Sequence, residues 1–276
     1  MEKRTLYVSD LDGTLMRNDK TLSDYTVSTI NRLVREGLAF TYATARSIQS
    51  SMEICGSLEL KLPVISRNGT VLADNSTGEM LEKALFTSEE VALLRELLPE
   101  TAKCGFVSRY VGNSMEKVCL KSDHVTGFQK YIDDHAGDKR MYFTDTKDEM
   151  FSGQVGYLTL IDDEEALRPA YERVKAYPGW ECVFQKDAYD KEFWLEICPG
   201  NSTKAKALLK LKERYGFDRL VVFGDSVNDL PMFAAADESY AVSNALPEAK
   251  KAATGVIGSN EEDSVAGFLE KAYAVQ

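Results

Sequence analysis

The hydrophobic and polar positions of this chain fall into two textures. From the start to about residue 82, short apolar runs alternate with segments whose apolar residues recur at helical spacing. Thr5–Ser9, Leu38–Ala43 and Pro63–Ser66 carry the β-branched and aromatic residues of strands. Between the first two, Tyr25–Gly37 sets Val27, Ile30, Leu33 and Val34 on one helical face and closes on a glycine. The same alternation returns from about residue 199. A helix beginning near Ser202 carries Ala205, Leu208, Leu209 and Leu211 and stops at Gly216, and strands follow at Leu220–Phe223 and Tyr240–Val242. Strands separated by amphipathic helices predict parallel βαβ units, and so an α/β fold with a doubly wound parallel sheet.

Between these two stretches the texture changes. Extended segments crowd together at Cys104–Val111, Glu116–Leu120, Val155–Ile161, Trp180–Phe184 and Phe193–Ile197, with helices at Ser88–Leu98, Asp123–Ala136 and Glu164–Ala176. That grouping predicts a separate α+β domain over residues 85–197, inserted into a core formed by residues 1–84 and 198–276.

Open α/β sheets bind ligands at the carboxyl ends of their strands, and three predicted strands of this chain end in reactive side chains. The first runs into Asp10-Leu11-Asp12-Gly13-Thr14. Residues two apart on an extended strand share a face, so Asp10 and Asp12 can converge on one spot, and Gly13 permits a sharp turn. One carboxylate can attack phosphorus and the other can carry protons if a divalent cation offsets the crowded charge. An EF-hand loop is excluded, because its glycine stands sixth and Gly13 is fourth from Asp10. The plainer alternative is an acidic turn after a buried strand. The strand at Leu220–Phe223 repeats the design with Gly224, Asp225, Asn228 and Asp229, and two strand-plus-Asp ends suggest one shared site. Oxygen ligands without a His or Cys cluster suit Mg²⁺ rather than Zn²⁺. A third strand ends at Thr44-Ala45-Arg46, where a hydroxyl and a guanidinium could bind a phosphoryl group or simply begin a helix capped by Ser47. Lys204 is the fourth piece. A lysine in a helix's first turn faces the positive end of the dipole, which is mildly unfavourable. An anion nearby would explain it; without one it is one more surface lysine.

Composition narrows the partners. The chain has 276 residues and a net charge of −11, which argues against nucleic acid or an anionic membrane. Its five cysteines, with no C-x-x-C pair, read as scattered thiols of a reducing compartment. No secretory signal precedes the first strand, and no apolar run reaches the ~18 residues of a membrane span. His124 and His135 lie far from every motif and read as surface residues, which leaves proton transfer to carboxylates.

In order, Asp-x-Asp-Gly-Thr, Thr-Ala-Arg, Lys204 and Gly-Asp-x-x-Asn-Asp resemble the haloacid dehalogenase superfamily. The long segment between the second motif and the lysine is similar to its Cof-type (IIB) phosphatases. Asn68-Gly69, Ser243-Asn244-Ala245 with Lys250, and Ser259 to Ala266 are further matches. The chain departs from the pattern at Ala45, Ala205 and Ser264, each standing where glycine is usual. The resemblance implies a Rossmann-like core with a C2-type cap inserted into it. It implies Mg²⁺ held by the Asp10 carboxylate, the Asp12 carbonyl and Asp225. Asp10 is then the nucleophile that forms an aspartyl-phosphate, and Asp12 the general acid and base. The Leu11 and Ala45 N–H groups, Thr44, Lys204 and Asn228 would hold phosphoryl oxygens, with Arg46 an extra substrate contact. Asp229 would orient metal-bound water or Lys204. The expected substrate is a small phosphorylated metabolite, a sugar phosphate or a nucleotide-like cofactor. The expected enzyme is cytoplasmic, a monomer or weak homodimer. Two alternatives stand beside it: a phosphomutase or phosphotransferase of the same superfamily, and a sensor of phosphometabolites without turnover. Retention of Asp10 and Asp12 disfavours the sensor, and residues 85–197 show no dense Arg/Lys cluster for a bisphosphate.

Overall fold

The structure, a computed structural model, describes residues 4–187 and 190–274. The chain divides into two compact units, Met1–Glu82 with Thr203–Gln276, and Lys83–Ser202.

The first unit is built on a five-stranded sheet in the order Gly255–Val256, Glu238–Ala241, Arg219–Gly224, Thr5–Ser9, Ala39–Tyr42, all parallel. A sheet covered on both faces buries both alternating sets of side chains. Leu6, Tyr7, Val8, Leu220, Val221, Val222 and Phe223 are accordingly all buried. Asp24–Glu36 is an amphipathic helix with Ile30, Leu33 and Val34 buried, and it packs on the helix Ser264–Ala274. The Ser23 hydroxyl accepts from the Thr26 N–H at its start, and Gly37 at φ 117° ends it. A smaller sheet of Val64–Ser66, Val71–Ala73 and Met80–Lys83 follows, and a single bridge from Ala43 to Ile65 joins it to the edge of the large one.

Register brings the ends of the central strands level. Ser9 lies opposite both Phe223 and Tyr42. Beyond the last pairs the Asp10 N–H still donates to the Phe223 carbonyl, and the Ala43 N–H to the Ser9 carbonyl, each at 2.9 Å. Asp10, Thr44 and Asp225 therefore leave the sheet at one edge.

The second unit carries a six-stranded sheet in the order Trp180–Lys186, Phe193–Pro199, Gln154–Asp162, Gly105–Val111, Ser114–Leu120, Met141–Thr144. All pairs are antiparallel except the last, which is parallel. Leu158, Leu160, Leu195 and Ile197 join Leu94, Leu98, Leu167 and Val174 of the flanking segments in one apolar core. Thr126–Asp134 brings Phe128 and Tyr131 onto Phe106, with ring centroids 6.3 and 5.5 Å apart.

Two expectations need correction here. The helix expected over Asp123–Ala136 runs only from Thr126 to Asp134, because Val125 is still extended at φ −65°, ψ 155°. His124, expected at the surface, is half-buried: its ring meets the Leu120 carbonyl at 2.9 Å and the edge of Phe128. His135 is exposed, with its ring tilted on Tyr131.

Candidate active site

The strand Thr5–Ser9 delivers Asp10 into the interior, where 5 % of its surface remains accessible. The chain then folds into a tight turn over Leu11–Leu15, closed by the Met16 N–H on the Leu11 carbonyl at 2.9 Å. Gly13 is required there twice over. Its φ is 75°, and a Cβ would stand 2.6 Å from an Asp225 carboxylate oxygen. Asparagines from two later loops hold the turn by its carbonyls: Asn244 donates to Gly13 O at 2.8 Å and Asn260 to Met16 O at 2.9 Å. The Thr14 hydroxyl donates to Asp225 Oδ1 at 3.2 Å, tying the first strand's turn to the acid from the neighbouring strand.

Lys204 enters from the helix Lys204–Tyr215, whose cap is the Thr203 hydroxyl accepting from the Lys206 N–H. Its ammonium lies between two acids, 2.5 Å from Asp10 Oδ1 and 2.9 Å from Asp229 Oδ1. Asp229 is wholly buried, and its other oxygen accepts the N–H groups of Asp225 and Ser226 at 3.0 and 3.2 Å. Both Asp229 oxygens thus have protein donors, which fixes the Gly224–Asp229 turn. Asn228 lies in that turn, half-buried, its Oδ1 accepting from the Ser226 hydroxyl at 2.6 Å.

Asp10, Asp225 and Asp229 each offer an oxygen within 4.8 Å of the others. Burial raises the Asp10 carboxyl well above its ordinary pKa; Lys204 pulls it down, and Asp229, Asp225 and Asp12 push it up again. Burial, then Asp229, lifts Asp225 to about 7 despite Lys204. Burial by itself would lower the Lys204 ammonium, but Asp10 and Asp229 hold it above the ordinary lysine value. The cluster is short of positive charge. Carboxylate oxygens without imidazole or thiolate fit a hard divalent cation, and such an ion would relieve that shortage.

Asp12 and Arg46 form a separate bidentate pair, Nε to Oδ2 at 2.8 Å and Nη2 to Oδ1 at 2.7 Å. The guanidinium, expected as a substrate contact, is thus directed at the acid two residues after Asp10. Thr44 is fully buried; its hydroxyl accepts from the Arg46 N–H at 3.1 Å, a local turn that aims the half-buried Ala45. The Leu11 side chain is buried, so only its main chain can serve a ligand.

Sequence reasoning gave no role to Thr14, Ser226, Asn244 or Asn260. Thr14 stands inside the first motif, so its place after Gly13 was a usable signal. The asparagines reach the turn from more than two hundred residues away, and spacing alone does not carry that.

A family model for haloacid dehalogenase-like hydrolases matches residues 7–269. The chain belongs to this family. It is 29 % identical over 285 aligned positions to the 5-amino-6-(5-phospho-D-ribitylamino)uracil phosphatase YitU of Bacillus subtilis, covering 99 % of each chain. It is 28 % identical to the pyridoxal phosphate phosphatase YbhA of Escherichia coli, over 94 % of this chain and 95 % of that one. A haloacid dehalogenase-like hydrolase of Bacteroides thetaiotaomicron shares the fold, with a TM-score of 0.78 at 24 % identity over 98 % of this chain and all of that one. This member of the family is a phosphoric monoester hydrolase.

Proposed function

We propose that the protein is a Mg²⁺-dependent phosphatase of small phosphorylated metabolites that works through a phosphoryl group carried on Asp10. The observation that supports it best is Lys204 wedged between Asp10 and Asp229, with Asp225 in the same cluster, at the carboxyl edge of a parallel sheet. Asp10, Asp225 and the Asp12 carbonyl would hold the ion. When bound, Mg²⁺ supplies positive charge that neutralises the nucleophile and the phosphoryl oxygens.

Asp10 attacks phosphorus in line, so its O–P bond forms as the bond to the leaving oxygen breaks. Lys204 favours the ionised form of Asp10, orients it and meets one phosphoryl oxygen. The Thr44 hydroxyl, the Leu11 and Ala45 N–H groups and Asn228 receive the others. Asp12 delivers a proton to the leaving alcohol, then takes one from the water that cleaves the aspartyl-phosphate. For Asp12 to carry that proton, one of its two bonds to Arg46 opens, so Arg46 acts first as the group that aims Asp12. Asp229 fixes Lys204 and the turn that bears Asp225. All these groups handle the phosphoryl end of a substrate and none discriminates its other end. That selection we assign to the inserted unit Lys83–Ser202, acting as a cap.

Asp12→Ala tests the covalent step. The variant keeps the nucleophile but lacks the base for the second half-reaction, and the leaving group of p-nitrophenyl phosphate departs without a proton. It is expected to release a burst approaching one p-nitrophenolate per enzyme and to gain the mass of one phosphoryl group on Asp10. Steady hydrolysis with neither burst nor mass gain excludes the aspartyl-phosphate.

A further inference from the structure

Among the described residues, three consecutive positive φ angles mark a turn outside the reacting groups. Arg67, Asn68 and Gly69 follow one another at φ 51°, 52° and 100°; Arg67 is a residue that avoids this region, while asparagine and glycine tolerate it. Arg67 and Asn68 are buried, at 6 and 4 % exposure, and strain retained in an interior is held there by its surroundings.

The turn's contacts show what it holds. The Arg67 N–H donates to the Arg46 carbonyl and the Asn68 N–H to the Thr44 carbonyl, each at 2.9 Å. The Thr44 N–H donates in the other direction, to the Ile65 carbonyl at 2.8 Å. Thr44–Arg46 is therefore fastened to the turn and the strand before it at three points. A trans peptide puts its N–H opposite its C=O. With the Thr44 carbonyl fixed on Asn68, the Ala45 N–H must point away from the turn. On its other side the turn abuts the helix that carries Lys204. A Cβ on Gly69 would lie 2.3 Å from the Thr203 carbonyl and 2.7 Å from the Lys204 main-chain nitrogen.

We propose that the left-handed Arg67–Gly69 turn is a positioning element that sets the Ala45 N–H and the Lys204 ammonium in register for one phosphoryl group. This rests on the reading above that those two groups bind phosphate. The turn reaches the chemistry only through them. In an ordinary right-handed or extended conformation, the two N–H groups would leave the Thr44 and Arg46 carbonyls and the Ala45 peptide would be free to rotate. A side chain at 69 would displace the start of the Lys204 helix.

The test compares Asn68→Gly, which adopts positive φ freely, with Asn68→Val, which resists it. Both are assayed for kcat and KM on p-nitrophenyl phosphate and for inhibition by inorganic phosphate. The expected result is kcat within about fivefold of wild type for Asn68→Gly, against a loss of roughly 30-fold or more, with phosphate inhibition about tenfold weaker, for Asn68→Val. Gly69→Ala is expected to lose about 100-fold in kcat; if it does not fold, the Asn68 pair decides. Equal kcat and equal phosphate inhibition in the two Asn68 variants would overturn the proposal, whether both are active or both impaired. A wild type that neither turns over the ester nor binds phosphate would instead sink the functional reading. The turn is then judged by the crystal structure of Asn68→Val: a displaced Ala45 peptide supports its role, and a backbone superimposable on wild type from 44 to 46 refutes it.

Discussion

In the inserted unit a buried lysine is fully answered by its neighbours; in the parallel-sheet unit a buried lysine is outnumbered. Lys117 donates to the Tyr131 hydroxyl at 2.6 Å and to Asp138 at 3.0 Å, and its ammonium lies over the rings of Phe106 and Tyr131. Asp138 is shared with the Arg140 guanidinium. Burial would raise its carboxyl, but Arg140 and then Lys117 hold it well below the ordinary range. Lys204 instead faces Asp10 and Asp229 at hydrogen-bond distance with Asp225 in the same cluster, while the Arg46 guanidinium pairs with Asp12. There Asp10 and Asp225 move up rather than down. A closed set of charges holds a fold in one arrangement, whereas an open, acid-rich set at a ligand-binding edge is prepared for cations.

The contrast breaks most violently at Asp10. Asp10→Asn is nearly isosteric but cannot attack phosphorus, and kcat on p-nitrophenyl phosphate should fall by roughly four orders of magnitude in a protein that still folds. A variant within about tenfold of wild type would remove Asp10 as nucleophile.

Next come the two lysines, compared directly. Lys204→Met should lower kcat by about 10²–10³-fold and, above neutral pH, destabilise the protein to urea by roughly 3 kcal/mol, because it leaves buried carboxylates uncompensated. A cation at a helix start, taken without its partners, has the opposite sign for stability, because the dipole disfavours it there. Lys117→Met should lose about 1–3 kcal/mol of stability, with Asp138 still paired to Arg140, and leave kcat on p-nitrophenyl phosphate within about twofold. Equal effects of the two substitutions on turnover would erase the distinction between the units.

That difference in sign marks how far the sequence carries. Strand ends were legible because Val-rich or aromatic runs stop abruptly at Asp10, Thr44 and Asp225, and few residues end a strand so sharply as an aspartate or a glycine. Thr5–Ser9 is found where the pattern put it, and Arg219–Gly224 within a residue or so. What spacing could not carry was pairing across the chain. Lys204 meets Asp10 over 194 residues, Arg46 meets Asp12 over 34, and both orientations depend on how strands line up. Strand Met141–Thr144 was missed for the same reason. Tyr142 and Phe143 are exposed, so no alternation shows, and only the parallel pairing with Ser114–Leu120 makes them a strand.

A smaller effect sharpens the comparison through pH. Asp225, lifted to about 7, binds its proton more tightly in the folded protein than in the unfolded chain. Its contribution to stability is complete below the ordinary carboxylate pKa and is lost as pH rises through about 7. In EDTA, wild-type unfolding free energy should therefore decline between about pH 5 and pH 7.5, and Asp225→Asn should decline less. Parallel pH profiles of the two proteins would contradict an open acid cluster.

On the proposed reading, the Asp10–Asp225 cluster holds a divalent cation that the hydrolysis requires. The most direct measurement is turnover of p-nitrophenyl phosphate by EDTA-stripped protein as Mg²⁺ is titrated back, with wild type and Asp225→Asn side by side. Wild type is expected to show no measurable turnover in EDTA and a saturable return of activity as Mg²⁺ is added. In Asp225→Asn the midpoint should move to at least about tenfold higher Mg²⁺, as loss of a charged ligand requires. Full turnover in EDTA, or the same Mg²⁺ midpoint in both proteins, would contradict it.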